Sequence, residues 1–142
     1  MLEKDYILRL LQQFFEDLSL FLSKKKKEDE ASEKQEDYDW ASLYGTYVGD
    51  YAFYHTEQSA EILASFSKYS PSERLPRMEM LAELYFREAQ FERENAVKLS
   101  LLERSLLLWE YIDKHSDTYS MERVRRMGYI RSAIKEDAAL KS

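Results

Sequence analysis

Met78-Glu79-Met80-Leu81-Ala82-Glu83-Leu84-Tyr85-Phe86-Arg87-Glu88-Ala89-Gln90-Phe91 is the stretch on which the fold turns. On a 3.6-residue wheel its apolar residues cover most of the circumference, with Glu79, Glu83, Arg87 and Gln90 along a narrow polar strip and Glu88 apart from it. A helix of this kind needs cover on several sides. The chain supplies one cover directly, because Val97, Leu99, Leu102, Leu106, Trp109 and Ile112 give residues 96–114 an apolar face of their own. The pair predicts a helical hairpin over 76–93 and 96–114.

Composition extends this reading to the whole chain. Only 3 glycines and 2 prolines occur in 142 residues, too few for the tight turns of a sheet protein. A hydrophobic fraction of 44% is enough to build a core. The absence of cysteine removes disulfides, thiol nucleophiles and thiolate zinc sites. It fits a reducing compartment, and with no stretch approaching the roughly 20 apolar residues of a membrane span, a cytoplasmic protein is expected. The expected class is all-α.

Working outward, Ile7, Leu8, Leu11, Phe14, Leu18 and Phe21 share one side of an amphipathic N-terminal helix over residues 1–23. Lys24-Lys25-Lys26-Lys27-Glu28-Asp29-Glu30 opens a charged segment, 24–37, that reads as a linker, with an exposed continuation of the helix as the other reading. A helical domain then fills 38–142. It opens with Trp40, Tyr44, Tyr47, Tyr51 and Tyr54 at spacings of four, three, four and three, one seam of a helix carrying on towards Tyr69. Gly45 and Gly49 weaken that helix, or let a neighbour approach closely. Ser70-Pro71-Ser72-Glu73 is a stop-and-restart signal, and Ser120 is placed to cap a final helix. About five helices result.

Leu81-Ala82-Glu83-Leu84-Tyr85 resembles the first helix of a tetratricopeptide repeat, with Ala82 at the small position and Tyr85 at the aromatic one. Leu102 and Ser105 match the large and small positions of the second helix, and Gly128 the small position of a following unit. The connection over 92–98 reads as longer than the family's. The resemblance, over about 76–135, implies an antiparallel helical-hairpin stack that binds peptides or protein partners. Separately, residues 3–10 resemble the N-terminal helix of some uncharacterised bacterial proteins, which implies no activity.

Little in the chain suggests catalysis. His55 and His115 stand alone, without the i,i+3 or i,i+4 partner that sets metal ligands on one helix face. There is no glycine-rich phosphate loop and no nucleophile elbow. No enzyme, cofactor or metal is expected. A net charge of −6 disfavours nucleic acid, although the six basic and three acidic residues after Ser120 make the tail basic. Such a tail is expected to dock on the acidic body.

The expected function is a protein-protein interaction module, in which a partner helix or peptide enters an aromatic groove. Tyrosine suits that role, offering apolar ring area and a hydroxyl that seeks water. The candidate contacts are Trp40, Tyr44, Tyr47, Tyr51 and Tyr54, with Ile7, Leu11, Phe14 and Leu18 on the N-terminal helix. That helix docks in cis, pairs with a second copy as a homodimer, or lies on a membrane surface beside the lysine run. The alternatives are therefore a peripheral membrane protein or a small-ligand-binding helical protein.

Overall fold

The computed structural model describes residues 2–31 and 39–141. Seven α-helices appear among them: α1 Leu2–Ala31, α2 Trp40–Tyr47, α3 Tyr51–Thr56, α4 Ser59–Ser65, α5 Pro71–Phe91, α6 Asn95–His115 and α7 Met121–Lys141. A single 3₁₀ turn, Phe66–Lys68, follows α4. No strand occurs among the described residues, so the fold is all-α. The number of helices differs from the expected five because the aromatic stretch is cut twice.

The first cut falls after Tyr47. The amides of Val48 and Gly49 both donate to the Tyr44 carbonyl, at 2.8 and 2.9 Å, which closes α2. Gly49 takes φ 145°, a conformation side-chain-bearing residues rarely adopt. Asp50 restarts the chain by accepting from the Phe53 amide at 3.3 Å. Asp39 does the same for α2, accepting from the Ser42 amide at 2.7 Å. That bond holds the Asp39 carboxyl below its ordinary value. The second cut lies at Glu57–Gln58, before α4.

The glycines therefore divide by role. Gly49→Ala is expected to cost about 1–2 kcal/mol, since alanine must adopt a strained φ. Gly45→Ala and Gly128→Ala are expected to stabilise by up to about 1 kcal/mol each. Both are helical, and a Cβ there would meet nothing within 4 Å. Gly45 thus does not serve a close helix approach. Urea midpoints of the three variants check the sign of each change.

The charged segment also departs from expectation. α1 continues through Lys24–Lys27 to Ala31, so the described part of 24–37 is helical. Lys, Glu and Ala are good helix formers and neither glycine nor proline interrupts them. Residues 32–38 lie outside the described residues.

The chain divides into two compact units, 1–56 and 57–142. In the first unit Phe14, Leu18 and Phe21 of α1 are buried, and Phe14 and Phe21 meet Tyr47 and Trp40 of α2. In the second unit α5 is the central helix, with Met80, Leu81, Ala82, Leu84 and Tyr85 wholly buried. Pro71 sits at its first position after Ser70, while Pro76 lies inside it and forgoes one backbone bond.

Residues 92–94 connect α5 to α6, a shorter link than expected. The two helices pack as an antiparallel hairpin in which the buried Ser105 hydroxyl donates to the Ala82 carbonyl at 2.8 Å. α7 packs back along α6. Its start is capped as expected, the Arg123 amide donating to the Ser120 hydroxyl at 3.2 Å.

Candidate functional site

The aromatic seam does not form an open groove. Tyr44, Tyr47 and Tyr54 are buried, and Trp40 and Tyr51 are half-buried. On α1, Ile7, Phe14 and Leu18 are buried and Leu11 is half-buried. The two sets meet: Phe14 stands edge-on to Tyr47 at 5.1 Å between centroids, and Phe21 lies 4.6 Å from Trp40. The Tyr47 hydroxyl donates to the Asp17 carboxylate. The N-terminal helix thus docks in cis on the α2 part of the seam. What remains open is a shallow cavity of about 280 Å³, bordered by Asp17, Lys24, Asp39 and Thr46.

Each histidine belongs to one local motif. His55 stacks on Tyr51 at 3.7 Å and His115 on Tyr111 at 3.9 Å. In both, the ring Nδ1 lies within 2.8 Å of the same tyrosine's carbonyl oxygen. Each histidine follows its tyrosine by four residues near a helix end. Among the described residues no three His, Asp or Glu side chains gather as metal ligands. No described helix is long and apolar enough to cross a membrane.

Two basic residues of α7, Arg123 and Arg126, dock on what precedes them. Arg123, only 9% exposed, donates to Asp113 at 2.9 Å and to the Thr118 carbonyl at 2.8 Å. Arg126 reaches the buried Glu83, donating to both carboxylate oxygens at 2.8 and 3.1 Å. Its guanidinium also lies 3.8 Å from the Phe86 ring centroid, a cation-π distance. Arg87 donates to the same Glu83 at 2.8 Å.

Glu79, one turn earlier, lacks such help. Burial pushes its carboxyl above the ordinary value, the charge of Glu83 adds to this, and Arg123 opposes it. A raised folded-state value means the folded protein holds this proton more tightly than the unfolded chain. Glu79 thus favours folding at acid pH, and that contribution is lost as pH rises from the ordinary carboxylate range through the raised value. Glu79→Gln is expected to raise the urea midpoint at pH 7, with the difference from wild type shrinking as pH falls through the raised value towards 4.5 and changing little below it.

An opening in the second unit lies where α7 leans over the α5–α6 hairpin. A cavity of about 260 Å³ has Phe86, Leu99 and Leu102 on its hairpin side, with Tyr129, Ala133 and Leu140 on α7. Lys98 stands on one border, and Glu136 and Asp137 on the other. Asn95 ties Asp137 across this end at 3.2 Å. A second cavity of about 490 Å³ adds Glu122, Arg125 and Arg126 and shares Phe86, Gln90 and Tyr129 with the first. The two adjoin at Phe86 and Tyr129. Phe86 is buried at its base, and Tyr129 stands edge-on to it at 5.6 Å while remaining 59% exposed. Leu140 is 85% exposed.

None of these groove residues was a sequence candidate. One signal was present: Tyr129, Ala133, Glu136 and Leu140 recur at spacings of four, three and four on one edge of α7. That edge reads as core until the hairpin's position is known. Gly128, matched to a small packing position, is exposed with open space beside it. No family model, no curated protein and no solved structure matches this chain.

Proposed function

We propose that this protein is a non-catalytic interaction module whose receptor surface is the groove between α7 and the α5–α6 hairpin. The ligand is an amphipathic helical segment of a partner protein. It lays its apolar face on Phe86, Tyr129, Ala133 and Leu140 and sets basic residues beside Glu136 and Asp137. The observation that carries this reading is the exposure of Tyr129 and Leu140 along a groove floored by buried Phe86. Large exposed side chains bordering an apolar cleft are the usual anchors of a binding site.

In this reading the second unit is a tetratricopeptide-like hairpin stack. The Ser105–Ala82 hydrogen bond joins the two residues that the resemblance places at the small positions of a hairpin. Arg126 meets Glu83 across 43 residues, and Tyr129 meets Phe86 across the same interval. α7 therefore lies parallel to α5, as the first helix of a following unit would. The interval exceeds the family's roughly 34 residues, in keeping with two helices of 21 residues each.

The test is selection of binders from a displayed library of amphipathic helical peptides. Selected peptides should compete with one another and lose binding to a Tyr129→Glu, Leu140→Glu variant, whose exposed positions leave the core intact. Peptides that bind both proteins equally would reject the groove.

A further inference from the structure

α1 carries two apolar stripes, and only one of them is turned inward. Ile7, Phe14, Leu18 and Phe21 are buried. One residue along, Leu8, Leu11, Phe15 and Leu22 form a second stripe at spacings of three, four and seven. Leu8 is 56% exposed and Phe15 43%, and Leu11 and Leu22 are half-buried. Such spacing is how one helix presents a seam to another. We propose that this stripe is a self-association surface, covered by the same stripe of a second copy lying antiparallel to it.

Three of the four stripe residues are arranged symmetrically about Phe15, while Leu11 falls opposite Ser19 of the second copy. Leu8 and Leu22 lie seven residues to either side, so a two-fold axis at Phe15 sets Leu8 against Leu22 of the second copy and ring against ring. The same axis places Asp5 opposite Lys25 of the second copy, opposite charges at equal distance from Phe15, and Lys4 opposite Lys26, a like-charge pair at the stripe's ends that weakens the dimer. A parallel pair would instead lay Lys24–Lys27 against its own copy. Beside the stripe stand Gln12, Glu16 and Ser19, with the Gln12 amide donating to Glu16 at 3.4 Å. That border lacks the cations an anionic lipid surface selects, which favours a protein partner. From Leu8 to Leu22 the stripe spans about 21 Å at 1.5 Å per residue. An interface of this length is at the small end of specific contacts, so the dimer is weak and populates at high concentration.

Sedimentation velocity of the full chain, from micromolar to near-millimolar concentration, should show a reversible monomer–dimer shift. Phe15→Glu should remain monomeric throughout, with an unchanged far-ultraviolet spectrum because Phe15 is not a core residue. Since the chain has no cysteine, single thiols report the geometry directly. Oxidation should join Phe15→Cys to itself, and should join Leu8→Cys to Leu22→Cys in preference to Leu8→Cys with itself. A wild-type chain that stays monomeric, or a Phe15→Glu chain that still associates, overturns the proposal. Preferred self-linkage of Leu8→Cys overturns its antiparallel sense. Phe15-dependent binding of a monomer to phosphatidylserine-containing vesicles would assign the stripe to a membrane and overturn the proposal too.

Discussion

Phe14→Ala is expected to destabilise the protein by about 3–5 kcal/mol, while Phe15→Ala, one residue along, costs well under half as much. Phe14 is wholly buried and stands edge-on to Tyr47, so truncation removes both its transfer free energy and its packing partners. The wall it leaves is made of rings and a long helix, which collapse poorly into a cavity. Phe15 is 43% exposed and forfeits far less contact. Urea denaturation followed by circular dichroism measures both. Equal losses for the two variants would mean that α1 does not present its Phe14 side to the seam.

The second large effect concerns Glu83. Glu83 is 4% exposed, and its carboxylate is shared by Arg87, one turn on, and Arg126 on α7. Either arginine alone can hold the charge, so Arg87→Ala and Arg126→Ala are each expected to cost about 1–2 kcal/mol. Removing both leaves a buried carboxylate without a counter-charge, and the double variant is expected to lose about 3–5 kcal/mol, more than the two single losses together. Glu83→Gln in that background should recover much of the loss, since a neutral amide is far cheaper to bury. A double variant whose loss merely equals the sum, and which glutamine does not rescue, would show that the arginines act separately.

Much of the secondary structure was legible because helix formation here is a local matter. The apolar wrapping of Met78–Phe91, the Ser70-Pro71 restart and the Ser120 cap all act within a turn or two of chain. The all-α class followed from these and from the scarcity of glycine and proline. The breaks in the aromatic stretch were not legible to the same degree. Gly49 reads as a weak helix position until its φ of 145° shows that it ends α2, and the expected tether at Lys24–Lys27 lacks any residue that stops a helix.

The binding surfaces were less legible still. Tyr44, Tyr47 and Tyr54 have the composition of an interface and the burial of a core. A tyrosine ring serves both, and spacing alone does not separate them. Tyr129 and Leu140 carry the opposite ambiguity, since their spacing suits a packed face and yet both stand in solvent.

The sequence by itself determined the all-α class and the apolar side of the long helices, because periodicity and capping are properties of neighbouring residues. Only the tertiary structure decided which apolar face was used and which was left over. It turned the aromatic seam onto Phe14 and Phe21, tied Arg126 to a carboxylate 43 residues away, and left the groove beside Tyr129 open. Burial is shared between distant parts of the chain, so no local pattern assigns it.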